Sequence, residues 1–484
     1  MMESESPISR RGQPTIPTNR CGLELQSRGV IMADESKLNF DDAKSGRLWV
    51  EGKTVILLPN EQERPSHMPR GPAKRTGPGF INPAMAPART RSVLLLADAL
   101  EHDWLTKGEQ PIRALDALCS TGVRFRRWRN EIPQSLQHRL RIHANDLDQF
   151  ALARAQQTHR DFPPPSSWAF DEVLFNDQER VHGQLINGIF YMNEDARIAL
   201  NRGAYQWIDV DPFGSPIAFL DAAIQGIGRR GVLEITATDT AALTGSSPSS
   251  QRRRYGANGI VDAYAHDDAV RTLLGVVATT AAKHDRYSEP ILALFDGHHV
   301  RLTVLVIRGK EKASFIQNSI GWRTRLKGGG YTFVNHPAPD ELETSSGPLW
   351  IAPIWNREIT SRIDEKRALE ICYPSESERL ELDKLSQDWS EQDWEYWRRE
   401  ICRSVRFIQD ASTLLSSDHL LIDIDDFAKK LQLNQIPKME TILKAFTDAG
   451  YETARVPDIN PMFATFAPLE EAKQILLDLD SSHE

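Results

Sequence analysis

From position 112 onward, short apolar runs alternate with longer amphipathic ones, the rhythm of strands and helices laid down in turn. Ile112 to Leu118 reads as a first strand, followed by a polar turn, Cys119-Ser120-Thr121-Gly122, and a basic helix through Arg129. Leu140 to Ala144 reads as a second strand, closed by Asn145-Asp146-Leu147-Asp148 and an Ala-rich helix. Glu172 to Asn176, Ala204 to Val210 and Gly231 to Thr238 are further strand candidates, and Ile291 and Leu294 with Val300 to Ile307 suggest a closing hairpin. Strands separated by helices predict an α/β fold, a doubly wound, mostly parallel sheet covered on both faces.

Upstream, Leu48 to Pro59 predicts two short strands around a turn, a Pro/Gly/basic loop runs from Glu63 to Gly79, and Arg89 to Leu100 predicts a helix. Beyond about Ala313 the pattern changes to a Gly-rich turn at 328–330, a Trp-rich acidic helix candidate (Trp389, Trp394, Trp397), and an alternating Leu420-Ile422-Ile424 strand. Two short amphipathic helices follow, the second from Met439 to Ala449, which suggests a small α/β module of winged-helix type. The expected organisation is an N-terminal extension (1–45) without periodicity, read as disordered, a catalytic domain (46–312) and a smaller C-terminal domain (313–484).

Composition narrows the class only modestly. A net charge of −9 gives no global signature of nucleic-acid binding, so any polyanion contact must be local. Four widely separated cysteines (Cys21, Cys119, Cys372, Cys402), none in a CxxC, offer neither a disulfide framework nor a thiolate metal site and suit a reducing cytoplasm. No apolar run approaches a membrane span, and the N-terminus lacks the apolar core of a secretory signal.

The chemistry concentrates where strands end. Ile208-Asp209-Val210-Asp211-Pro212-Phe213-Gly214-Ser215-Pro216 is a β-branched strand that stops at an acid, a proline and an aromatic. A carboxylate and a neighbouring carbonyl there can accept both hydrogens of an exocyclic amine while the ring stacks on the base that carries it; a turn that merely ends a buried strand is the plainer reading. In a doubly wound sheet, ligands bind beyond the carboxyl ends of the strands. Asp116, Gly122, Asp146 and Asp195-Ala196 are placed there, with Asp146 suited to two ribose hydroxyls; alternatively, Asp116 and Asp146 simply cap strands. The absence of GxGxxG and GxxxxGK[ST] disfavours a pyrophosphate-bearing ligand and points to S-adenosylmethionine.

Several runs together resemble the tRNA (guanine-26) N2-dimethyltransferase family of archaea and eukaryotes: Phe80-Ile81-Asn82-Pro83-Ala84-Met85 with Arg89, Asp116 to Arg124, Asn145-Asp146, Asp195-Ala196, Asp209 to Pro216, Ala237 to Leu243, and Gly347-Pro348-Leu349-Trp350. The resemblance runs from about residue 46 to the C-terminus. It implies a class I methyltransferase domain in which Arg89, Arg124, Asp146, Asp195 and Ala196 contact S-adenosylmethionine. It further implies that Asp211 is the catalytic acid/base, that Phe80 and Phe213 sandwich a flipped guanine, and that one or two methyl groups are transferred. The chain departs from the family in lacking a four-cysteine zinc cluster, since no cysteine occurs between Lys310 and Trp350, so no metal is expected. Thr90 also stands where an acid usually follows the motif arginine.

Expected RNA contacts are Arg252, Arg253 and Arg254, the arginines of the Arg124–Arg129 helix, and Lys74-Arg75. tRNA is the expected partner, with no membrane and no stable protein partner. The competing readings are a methyltransferase for another exocyclic amine in RNA or DNA, and a non-catalytic tRNA-binding protein on the same scaffold.

Overall fold

A computed structural model describes residues 47–58, 81–162, 183–385, 389–457 and 461–481. The N-terminal extension, Phe80, Lys74-Arg75 and the strand expected at Glu172–Asn176 lie outside these residues.

A hairpin opens the described chain, β1 (Arg47–Glu51) and β2 (Thr54–Leu58), turning at Gly52 with φ +59°. Asn82 then caps a short 3₁₀ turn by accepting from Ala84 N at 3.1 Å, and Pro83 sets its first turn. The helix Ala86–Glu101 follows and is buried along most of its length.

The central sheet is built from β3 (Ile112–Asp116), β4 (Leu140–Asn145), β5 (Gln184–Ile186), β6 (Ile189–Met192), β7 (Tyr205–Val210), β8 (Ile227–Ala237), β9 (Arg286–Phe295) and β10 (Val300–Arg308), in the order β5-β6-β4-β3-β7-β8-β10-β9. β6, β4, β3, β7 and β8 are parallel. β10 runs against both β8 and β9, so β9 shares the direction of the parallel set. Helices Val123–Glu131, Gln149–Asp161, Ala196–Leu200 and Ile217–Gly226 connect the parallel strands. The expected α/β rhythm is present, and the place beside β4 is taken by Ile189–Met192, a run too short and uniformly apolar to be assigned from periodicity.

The core is continuous across position 313. A second sheet, β11 (Ile320–Arg325), β12 (Tyr331–Val334) and β13 (Ser345–Trp350), packs on the helix Ala265–Lys283. Arg323 of β11, fully buried, is paired with Asp268 of that helix at 2.6 Å through both Nε and Nη2. Helices Glu365–Cys372 and Glu391–Val405 pack against Ala86–Glu101. A last module runs helix Ile408–Leu415, β14 (Leu420–Asp423), helices Ile424–Leu431 and Met439–Asp448, β15 (Thr453–Arg455) and β16 (Met462–Thr465), then helix Leu469–Ser481. Its sheet order is β14-β16-β15, and much of its interior is a separate apolar cluster around Phe427, Phe446 and Phe463. Among the described residues no helix is long and apolar enough to cross a membrane.

Candidate active site

The corner that ends β7 is held from two sides. Thr238, after β8, donates its amide to Gly214 O at 2.9 Å, and its hydroxyl accepts from Gly214 N at 2.7 Å. Gly214 stands at φ +77°, where a side chain would be strained. Ser215 hydroxyl meets Tyr255 hydroxyl at 2.9 Å, and Tyr255 donates to Asp239 at 2.6 Å. This network fixes the backbone around Phe213, whose side chain nonetheless stands 67% exposed.

Beneath the corner lies a row of acids. Asp116, Asp209 and Glu234 stand in register on β3, β7 and β8. Arg124 spans two of the site's carboxylates, Nη2 to Asp211 at 2.5 Å and Nε to Asp209 at 3.1 Å. Arg301 from β10 pairs with Asp209 and lies 3.0 Å from Glu234, which also accepts from Trp207 Nε1 at 3.1 Å and Thr303 at 3.2 Å. Burial, reinforced by Asp209, pushes the Asp116 carboxyl well above its ordinary range, and among the described residues Asp116 Oδ2 has no hydrogen-bond partner. Burial also lifts Asp209, to about 6, against the pull of Arg124 and Arg301. Burial works the same way on Asp211 but is outweighed there by Arg124, Arg301 and His299, so its carboxyl sits below the ordinary range. Three carboxyl groups, Asp209, Glu234 and Asp211, face the two guanidiniums of Arg124 and Arg301, an acidic surrounding that suits a cationic ligand.

A frame for that ligand is tied together by Asn145, fully buried at the end of β4. Its Nδ2 donates to Ala117 O and Glu194 O, each at 3.0 Å, and its Oδ1 accepts from Glu194 N at 3.1 Å. Its carbonyl accepts from Cys119 N at 2.8 Å. One side chain thus joins the loops after β3, β4 and β6. Asp146 beside it accepts from Ser120 N at 2.7 Å and Asp148 N at 2.9 Å; burial raises its carboxyl despite those bonds. Asp195 caps the helix Ala196–Leu200, accepting from Arg197 N at 2.8 Å, and its carboxyl is drawn down to about 2 by Arg197. Leu147 and Ile198 stand 66% and 51% exposed beside Asp146 and Ala196. A carboxylate after β4, exposed aliphatic surface next to it and an acidic corner together fit an adenosyl sulfonium.

The structure brings Asp116, Gly122, Arg124, Asp146, Asp195, Ala196, Asp211 and Phe213 to the carboxyl ends of the parallel strands. Gly122, at φ +77°, could not bear a Cβ without striking Phe125 at 2.6 Å, so its need for glycine is met by internal packing. Arg89 is buried and bound to Glu51 through Nε and Nη2, each at 2.6 Å, and to Asn82 O at 3.1 Å. The basic helix requires a correction: Arg126, Arg127 and Arg129 are buried, not a surface for RNA. The hairpin β1–β2 covers Arg126 and Arg127. Arg127 pairs with Glu131 at 2.6 Å and Glu51 at 3.0 Å, while Arg126 donates to the carbonyls of Val55 and Phe162. Arg252, Arg253 and Arg254 are exposed on the helix Pro248–Tyr255, with Arg254 tied to Asp239 at 2.8 Å. Asn145, Glu234, His299 and Arg301 carry functions in this architecture that spacing did not reveal; an acid inside the β-branched run of β8 and an arginine inside that of β10 were the available signals.

Seven strands in the order β6-β4-β3-β7-β8-β10-β9 with β10 alone reversed, and an acidic ligand frame at their carboxyl ends, define a class I S-adenosylmethionine-dependent methyltransferase. The same fold is seen in Trm1 from Pyrococcus horikoshii in complex with S-adenosyl-L-methionine, with a TM-score of 0.64 and 24% identity over 89% of this chain and 99% of that one. Residues 52–476 match the family model described as N2,N2-dimethylguanosine tRNA methyltransferase, and the chain belongs to that family. Among similar proteins are the tRNA (guanine(26)-N(2))-dimethyltransferases of Pyrococcus furiosus (27% identical; 88% of this chain, 97% of that protein) and Methanopyrus kandleri (26%; 84% and 89%). That of Thermoplasma volcanium is 30% identical over 56% of this chain and 66% of its own length.

Proposed function

We propose that the protein transfers one or two methyl groups from S-adenosylmethionine to the exocyclic N2 amine of guanine 26 in tRNA. The observation that carries this reading is the corner itself: an ionised Asp211, braced by Arg124 at 2.5 Å, beside an exposed Phe213 on a backbone fixed by Thr238 and Tyr255.

S-adenosylmethionine, held by Asp146, Asp195, Ala196 and the turn around Gly122, would supply an electrophilic methyl on a sulfonium. Guanine N2 is a weak nucleophile because its lone pair is delocalised into the ring. Asp211 accepts a hydrogen bond from the amine, holds the lone pair on line, and takes the proton as the nitrogen–carbon bond forms. Its depressed pKa does not impede this, because an amine nitrogen that has gained a fourth bond is a far stronger acid than a carboxyl group. Arg124 keeps Asp211 ionised and fixed, a positioning role. The base enters flipped, stacked on Phe213; Phe80 belongs to the same reading as the opposite face of the slot.

For a second transfer the monomethylated amine still offers one hydrogen to Asp211. Residues from 313 onward, ending in the winged-helix-like module, act as the tRNA-holding part, and Arg252 to Arg254 as phosphate contacts near the corner. The protein works in the cytoplasm without a stable protein partner. The test is transfer of labelled methyl to unmodified tRNA, with the position mapped and the product identified by nucleoside mass spectrometry. Label in N2,N2-dimethylguanosine at position 26 supports the reading; label in an adenine or cytosine, or none, overturns it.

A further inference from the structure

A chain with net charge −9 must concentrate its cations wherever it meets a polyanion. One such place lies between the helices Glu391–Val405 and Ile408–Leu415. Phe407, at their junction, holds φ +66°, a left-handed conformation that a bulky side chain adopts only when its surroundings impose it. Two guanidiniums flank its ring, Arg406 at 4.8 Å and Arg455 of β15 at 5.0 Å from the centroid. No carboxylate pairs with either arginine among the described residues. Arg403, one turn back, has a side chain 75% exposed and a loose 3.5 Å contact to Glu400. Cations left without acids and stacked on a strained aromatic form a prepared surface, because a guanidinium already laid on a ring loses less freedom when it engages a ligand.

This surface is attached to the catalytic edge of the sheet. Ser404 O accepts from Arg91 Nη1 at 2.8 Å, and Arg91 pairs with Asp296. Asp296 N bonds His299 O at 2.8 Å in the tip joining β9 to β10. Val300, next in the chain, stands opposite Ala237 at the carboxyl end of β8, the edge that carries Asp211. His299 and Arg403 both act electrostatically on Asp296, and His299 also on Asp211. The stacked arginines are therefore tied through a short run of contacts to the corner that receives the base.

We infer that Arg406 and Arg455, stacked on Phe407, with the exposed Arg403 one turn back, form a phosphate clamp for the tRNA body while the target base occupies the corner. The planar forks meet phosphate oxygens in pairs, and Phe407 sets their spacing. This rests on the tRNA reading of the function above.

The experiment measures tRNA affinity against salt concentration, together with methyl transfer, for the full-length protein. Arg406→Ala/Arg455→Ala should weaken tRNA binding about tenfold and reduce the slope of log K against log salt by roughly one for each arginine. KM for tRNA should rise with kcat at saturating tRNA unchanged, and S-adenosylhomocysteine affinity should stay the same. Phe407→Gly, which suits the positive φ and so keeps the fold, should also weaken tRNA binding. Arg308→Ala, at the opposite end of β10, removes one charge as a control and should leave the slope intact. Wild-type affinity and slope in the double arginine variant would overturn the clamp, as would an equal slope change in the control. A wild-type protein that neither binds nor methylates tRNA would overturn the function reading instead.

Discussion

Replacing Phe213 by Leu separates a stacking platform from a packing residue. Full burial of a Phe is worth about 1.5–3 kcal/mol, and Phe213 is 67% exposed. No more than about 1 kcal/mol of burial is therefore at stake even if the ring were deleted, and leucine keeps most of it. For a chain of this size such a change moves Tm by roughly 2 °C or less. Stacking of a base on an aromatic ring contributes about 1–3 kcal/mol, and its loss from the transition state slows transfer by roughly 5- to 150-fold. The assay is single-turnover methyl transfer to unmodified tRNA at saturating S-adenosylmethionine, alongside a thermal melt of the same preparation. Expected are an unchanged melt and a slowed transfer. If transfer kept its rate while the melt dropped by several degrees, Phe213 would be a packing residue and the account of base capture would fail.

Asp211→Asn keeps the shape of the side chain and leaves Arg124 its bond to Asp209. Transfer should fall about 10²–10⁴-fold with cofactor affinity within twofold by calorimetry, and near wild-type turnover would remove Asp211 from catalysis. Asp146→Ala should weaken S-adenosylmethionine and S-adenosylhomocysteine alike, by about ten- to a hundredfold for a hydrogen-bonded charge; a loss confined to one of the two would contradict a ribose contact. Burial lowers the His299 imidazole to about 4 from 6.5 despite Asp296 and Asp211. Above pH 6.5 both folded and unfolded chains keep it neutral; below, only the unfolded chain takes the proton, so stability declines until pH 4 by up to ~3 kcal/mol. Urea midpoints at pH 7 and pH 4.5 should differ less for His299→Gln than for wild type, and equal differences would show that His299 does not set the acid limit.

The strands that bear the site were legible because each joins a short stretch with alternate apolar residues to an acid: β3 to Asp116, β4 to Asp146, β7 to Asp211. What was not legible depends on pairing across long separations. Arg126 and Arg127 looked like part of a solvated face because nothing local showed that the Val55 carbonyl and Glu51, more than seventy residues upstream, would cover them. Arg89 carried a motif, but its bidentate partner, Glu51, lies upstream in the hairpin β1–β2. The row Asp116, Asp209 and Glu234 exists only once register is fixed, since no spacing along the chain encodes which residues of three strands stand abreast. Asn145 read as a strand end, because both of its carbonyl acceptors lie on other loops.

Asn145 also bears on what a ligand must do on arrival. Its bonds hold the loops after β3, β4 and β6 in place before anything binds, so the ordering cost of those segments falls on folding and not on association. A receptor of this kind spends little of its contact energy on arranging itself. It also cannot tell a fresh donor from a spent one by closing around it, because the bonds that hold its loops engage neither. A second methyl on the same nitrogen would require the demethylated ligand to leave and a fresh donor to enter this frame, already arranged.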